Sequence, residues 1–515
     1  MDDLYNSRRN RTDLTSAHRN VREVVNWFFR HYQAYARRAG KPLVSSKNID
    51  EYKRHIRLII LDLLSAWEGD KAKFVGYNRG KRYFIKDGPY WNYKSGTSRI
   101  SNIIYTNVID FLAAEKFIDH HPRRKGFPGI SSRMRASYRL IRVFSARRLN
   151  WACIDVFDGP EIIVKHGDEY VPYPTAEGFG LDRAFENVRR INSTLQTTFI
   201  NLRISDQEME NLKKRMAREQ VLDDDEEPRE PFEFSNRTLR RIFANGTFNN
   251  GGRFYGGWWQ GIPSQFRKYI EIDGAMTVEM DYSTMQPRML YALVHETPPN
   301  DAYILEGWDS GLRPIIKKAF NQLLNSATSS RHQNQWHRFA PDLLPDPLPS
   351  NWGSMSKHER NLACRNMFEA MTGRDYSNLL RDLLEVHTPI EQFFFSGTWG
   401  KMQRKDSDIA ERVMLKLLNL PRPVTALPIH DSFIVRRGAE KTLHNAMEEA
   451  FEEVVGLKPE IDRDETVFDL PSEDYVPGLV IPDEDFGMEV LKDIEAYSGY
   501  YRREAEWTSI HGPID

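Results

Sequence analysis

Cysteine is nearly absent: 515 residues hold two, Cys153 and Cys364, and neither has another nearby. That excludes a disulfide framework and a cysteine-based zinc cluster, and it points to a reducing cytosol. No apolar run is long enough to cross a bilayer, so no membrane partner is expected. The opening MDDLYNSRRNRTDL lacks the apolar core of a secretory signal, which makes a cytoplasmic location the expectation. Internal repeats and low-complexity tracts are missing too, which sets aside repeat architectures. Net charge is equally scarce, at −1.

What is present is ample core material, 40% hydrophobic and 12% aromatic residues, in a chain long enough for about two to four domains. The small net charge conceals an asymmetry. Residues 1–150 carry 31 Lys and Arg against 13 Asp and Glu, a balance of +18 that the remainder reverses to −19. The first part therefore has the electrostatic footprint of a polyanion binder. Within it, Val21, Val24, Val25, Phe28 and Tyr32 mark one amphipathic helix, and Ile56, Ile59, Ile60, Leu63, Leu64 and Trp67 mark a second. A third spans about Ser101 to Ala114. A short strand, a basic hairpin carrying Arg123, Arg124 and Lys125, and a return segment follow it. This order resembles the winged-helix modules of replication initiators, and it is equally compatible with a helical basic domain that has no groove-reading element.

From Trp151 to Pro174 the runs CIDVF and EIIVKHG read as short strands, and Leu181 to Met216 reads as a long helical stretch. DDDEEPREP, from Asp223, is a solvated linker. Further on, MTVEMDYSTMQPRMLYAL delivers Asp281 from an apolar strand into the first turn of a helix, with Pro287 suited to that turn. An isolated Asp-Tyr-Ser is equally an acidic helix cap. In VTALPIHDSFIVRR, His430 and Asp431 fall at a turn between two strand-like runs, where aspartate is also favoured for backbone reasons alone. Two carboxylates at two strand ends can hold two divalent cations for phosphoryl transfer. Between them Arg313, Lys317, Asn321 and Asn325 recur every four residues, along one helix face opposite Ile315, Ile316, Ala319, Phe320 and Leu323. The cationic members suit a triphosphate, and a solvated charged face is the plainer reading. His332 and His337, in the Pro-rich stretch that follows, have no third ligand and carry no zinc assignment.

These stretches, in this order, resemble motifs A, B and C of the family A (polymerase I-like) nucleic acid polymerases. GGRFYGGWWQGIPSQFR resembles the segment ahead of motif A that contacts primer and template, and KMQRKDSDIAERVMLKL resembles the helix before motif C. The resemblance covers residues 251–435. It implies an α+β right hand with palm, fingers and thumb-like helices and says nothing about the first 230 residues, where the basic, mainly helical, winged-helix-like domain is a separate expectation. The expected divisions are 1–150 for the basic domain, 151–232 for the thumb-like region and linker, 233–465 for palm and fingers, and 466–515 for a C-terminal extension lying on the surface. It also implies a DNA polymerase acting on nucleoside triphosphates with a nucleic acid template and primer; no proofreading exonuclease motif is recognised, and the N-terminal half is too short and too basic to be that domain. Two Mg²⁺ ions would be held by Asp281 and Asp431 with Tyr282. Arg313 and Lys317 would hold the triphosphate, with Lys317 also able to protonate pyrophosphate. Arg253, Gln260, Arg267, Gln403 and His430 would contact nucleic acid. Four positions depart from the family pattern. Ser432 stands where most DNA-synthesising members carry glutamate, Gln286 replaces the glutamate that helps exclude a 2′-hydroxyl, and Asn321 and Asn325 replace an aromatic residue and a tyrosine. The alternatives are a single-subunit RNA polymerase or primase-like enzyme, and a non-catalytic replication initiator with a palm fold. Protein partners are unknown from sequence.

Overall fold

The computed structural model describes residues 6–81, 84, 91–92, 97–98, 100–123, 131–156, 161–167, 169–174, 179–222, 232–325, 352–463 and 495–514. Arg124, Lys125, His332, His337, the acidic linker and most of the tail beyond Pro471 lie outside the described residues.

The basic N-terminal part forms around helices Arg19–Arg38, Ile49–Gly69 and Asn102–Ala114. The apolar stripes read from the sequence are the faces that meet: Val21, Phe28, Ile56, Ile59, Ile60, Leu63, Val108, Phe111 and Leu112 are all buried in one core. The third helix begins where expected, because the Ser101 hydroxyl accepts from the Ile104 amide. A four-stranded sheet covers the helices in the order Ser7–Arg9, Phe74–Tyr77, Ser132–Ala136, Ile118–His121. The last two are an antiparallel pair, and the first pair is parallel. Arg8, on the edge strand of this sheet and with its side chain buried, joins Asp62 at 2.6 Å to Glu233 at 2.7 Å, so it ties the basic part to the segment that enters the next sheet.

Two further sheets follow. One runs Glu169–Tyr170, Ile162–His166, Arg240–Phe243, Gly251–Tyr255. The other is antiparallel, in the order Ile200–Leu202, Ile270–Ile272, Ala275–Ser283, Ser432–Arg436, Leu427–Ile429, with Glu460–Arg463 also paired to Ala275–Ser283. Its tight turn at Asp273 and Gly274 has both residues at positive φ, as a two-residue hairpin of this hand requires. Helix Trp399–Leu418 packs against the Gly251–Tyr255 strand and against helix Glu440–Val455. Gly252 permits that approach: a Cβ there would stand 2.7 Å from the Phe243 ring and 2.9 Å from the Ser407 hydroxyl.

Two expectations need correction. The helical stretch over Leu181 to Met216 is broken into helices Leu181–Thr197 and Asp206–Leu222 by the strand Ile200–Leu202, an edge of the large antiparallel sheet. The β-branched and aromatic run Thr197 to Ile200 prefers a pleated surface to a helix, and pairing with Ile270–Ile272 satisfies its backbone. The extension expected to lie on the surface instead ends in helix Ser498–His511, which is wedged into the fold. Trp507 is 2% exposed and stacks on Trp151, while the Arg503 guanidinium donates to Asn201 Oδ1 at 2.7 Å.

Candidate active site

Strand alternation builds the site. Along Ala275–Ser283 the side chains of Val278, Met280 and Tyr282 are buried, and the Tyr282 hydroxyl donates to the Met447 carbonyl at 2.7 Å. The Tyr282 phenol is thus committed to the helix behind the sheet and lies away from the cleft. Glu279, Asp281 and Ser283 point the other way. Ser432 lies opposite Asp281 in the register, and the two-residue turn His430–Asp431 closes the neighbouring hairpin, with Ile429 paired to Ser432. The Tyr282 amide donates to the Asp431 carbonyl at 3.3 Å, which draws the turn against the first strand. Both acids stand beside strained backbone. His430 has φ of 58° and Thr284, a β-branched residue opening helix Met285–Leu293, has φ of 50°. Such positions are costly for non-glycine residues and collect at functional sites.

Electrostatics mark the same place. Burial, then repulsion from Asp431, pushes the Asp281 carboxyl up to about 7, against the opposing pull of Lys317. Asp281 Oδ1 is buried and has no hydrogen-bond partner. A buried carboxylate oxygen without a partner, facing a second carboxylate, fits a divalent cation of hard, oxygen-seeking type. Among the described residues no group of three His, Cys, Asp or Glu forms a ready ligand set. Desolvation, with Arg253 and Arg267 acting the same way and Asp431 opposing, pushes the His430 imidazole down to about 4, although the residue is exposed at the surface. It is neutral at pH 7.

The expected cationic face forms on helix Arg313–Asn325, with Ile315, Ile316, Ala319, Phe320 and Leu323 buried behind it. Lys317 is exposed, and its charge is felt by Asp281. Arg313 is held by Asp301 at 2.7 Å and lies over the Tyr303 ring at 5.4 Å. Asn321 keeps a buried side-chain oxygen with no partner, and the Asn325 side chain lies outside the described residues. Gln286 sits half-buried in the first turn after Asp281.

The remaining assignments separate. Arg253 donates to Asp406 at 2.6 Å, and burial pushes Asp406 up to about 6, with Asp431 adding to the rise and Arg253 opposing it. Gln403 lies half-buried one turn earlier on the same helix. The Gln260 carboxamide is taken up by backbone groups, donating to the Phe254 and Pro428 carbonyls at 2.9 and 3.0 Å and accepting from the Gly257 amide. That side chain braces the Gly251–Tyr255 strand against the Asp431 hairpin. Arg267 donates to Glu279 at 3.1 Å. Arg123 lies two residues past the strand Ile118–His121, where its amide donates to the Ser132 hydroxyl.

Glu279, Asp301, Tyr303 and Asp406 were missed in the sequence. Glu279 alone had a usable signal, since it stands two residues before Asp281 and must share its face.

No family model matches the chain, and no curated protein matches it. Among solved structures it is similar to the POL domain of Pol1 from M. smegmatis in complex with DNA primer-template and dNTP, at 14% identity and a TM-score of 0.26. The match covers 57% of this chain and 55% of that one, so it spans about half the length of the structure it resembles.

Proposed function

We propose that the chain is a template-dependent nucleotidyltransferase, a DNA polymerase of family A type without a proofreading exonuclease, whose reaction is phosphoryl transfer between Asp281 and Asp431. The observation that carries this is the unpartnered, buried Asp281 oxygen beside Asp431, with the Lys317 ammonium felt from the facing helix. Mg²⁺ bound at the two acids supplies activation of the attacking oxygen and stabilisation of the leaving one. The chain's own residues do the rest. Asp281 and Asp431 hold the cations, Lys317 and Arg313 bind the triphosphate, and Lys317 is placed to give a proton to departing pyrophosphate. Asp301 keeps Arg313 fixed, which limits the entropy lost when phosphate arrives.

The helices and sheet of residues 1–150, with their +18 balance, support reading this part as a winged-helix-like module that grips the template. Residues 151–232, 233–465 and 466–515 then serve as connecting region, palm with fingers, and C-terminal tie. RNA synthesis is the second reading. It is favoured by Gln286, Asn321 and Asn325, which leave the sugar pocket without the usual glutamate and rings, and by Ser432 at the position where most DNA-synthesising members carry glutamate.

Primer extension with dNTPs and rNTPs in parallel tests both. Asp281→Ala and Asp431→Ala should each abolish incorporation while leaving the far-ultraviolet spectrum unchanged. Extension by both variants at the wild-type rate under magnesium would overturn the two-cation reading.

A further inference from the structure

The large sheet brings together a carboxylate and a hydroxyl that the two aspartates do not account for. Glu279 shares the face of Asp281, and Ser432, directly after Asp431, is paired opposite Asp281. The Ser432 hydroxyl donates to Glu279 Oε1 at 2.5 Å, and Arg267 donates to the same oxygen at 3.1 Å. Ser432 is buried and Glu279 only partly exposed, so this contact is shielded from competing water. It joins the strand that carries the first acid to the hairpin that carries the second.

We propose that Glu279 is the positioning acid of this site: it supplies from the first strand the carboxylate that the hairpin, having Ser432, does not. It holds the Asp431 turn in register through Ser432 and adds negative charge beside Asp281, while Arg267 holds it from the other side. The proposal rests on the nucleotidyltransferase reading above and assigns Glu279 no direct contact with the cation.

A consequence distinguishes this role from generic packing. Carboxylate and hydroxyl are interchangeable between the two strands. Serine at position 279 alone leaves the site without that carboxylate. Glutamate at position 432 alone sets two carboxylates at hydrogen-bond distance, where they repel. Exchanging both restores one of each.

The test measures Mn²⁺ binding to the full chain by electron paramagnetic resonance, alongside primer extension, in Glu279→Ser, Ser432→Glu and the double variant. Each single change should weaken Mn²⁺ binding and slow extension about tenfold, the usual size of a lost supporting contact at a metal site. The double variant should return to within about threefold of wild type, since contacting residues are non-additive. A double variant no better than the worse single, or a Glu279→Ser variant that binds Mn²⁺ as wild type does, overturns the inference. Should Glu279→Ser fail to fold, Glu279→Gln keeps the length and the acceptor for Ser432 while removing the charge. It is expected to fold and to bind Mn²⁺ more weakly, and unchanged binding overturns the inference. If wild type binds Mn²⁺ but extends no primer with either dNTPs or rNTPs, the parent reading fails while the binding series still decides the role of Glu279.

Discussion

Replacing Asp281 by asparagine keeps the side-chain shape and removes the charge, so it separates the electrostatic cost of the site from its packing. Burial and Asp431 raise the Asp281 carboxyl from 3.8 to about 7. A rise of about 3 units corresponds to roughly 4 kcal/mol of preference for the protonated form, which the open side of the cleft reduces to roughly 2 kcal/mol. The sign follows from proton counting. The folded protein keeps this proton longer than the unfolded chain does, so stability falls as pH rises from about 4 to about 7, and the whole cost is present above that window. Asparagine does not titrate. In EDTA at pH 8 the variant should therefore be more stable than wild type by about 2 kcal/mol, a gain of a few degrees in melting temperature, and at pH 4 the difference should largely vanish. Divalent cation should raise the wild-type melting temperature at pH 8 and leave the variant nearly unmoved. Circular dichroism melts at the two pH values, with and without Mn²⁺, read all of this. Equal melting of the two proteins in EDTA at pH 8, together with equal responses to Mn²⁺, would refute the account of Asp281 as a carboxylate awaiting a cation.

Gln286→Ala should raise the efficiency of rNTP relative to dNTP incorporation by about tenfold, within the range a loosely fitting pocket controls, and competition assays check it. Strict dNTP selection indifferent to the change would remove Gln286 from the sugar pocket. Neutralising Arg123, Arg124 and Lys125 together should flatten the slope of log affinity against log salt for duplex DNA by about 2 to 3, from the counterions no longer released. Trp507→Ala should cost about 3 to 5 kcal/mol of stability, as for other buried tryptophans, and should expose Trp151 to fluorescence quenching by iodide. An unchanged quenching profile would mean that helix Ser498–His511 stays docked without its central ring.

The site could be read from the sequence where period and position coincide. Val278 and Met280 alternate with Glu279 and Asp281, so the strand and its exposed face follow from spacing, and the helix at Arg313 announces its cationic face every fourth residue. The turn at His430 and Asp431 was legible because apolar runs bracket it. Side-chain commitments were not. Nothing in the spelling of the Gln-x-Ile-Pro stretch shows that both ends of the Gln260 carboxamide go to backbone groups. Strand Ile200–Leu202 was hidden because apolar positions at helical spacing flank it on both sides, and only pairing with Ile270–Ile272 decides its state. Helix Ser498–His511 was hidden by its charged neighbours, though Tyr500 and Trp507 stand seven residues apart on one face.

That last helix sets an order on biosynthesis. Trp151, Phe199 and Phe234 form an aromatic seat in which the Arg237 guanidinium lies 5.3 Å from the Trp151 ring and 4.6 Å from that of Trp507. On a ribosome adding about 5 to 20 residues per second, Trp151 emerges roughly 20 to 70 s before the ring that covers it. Once Arg237 has emerged, for roughly the last 14 to 54 s of that interval, the nascent chain carries an apolar, arginine-floored seat facing solvent. A release at residue 495 would leave it open permanently, as a sticky surface on an otherwise folded protein.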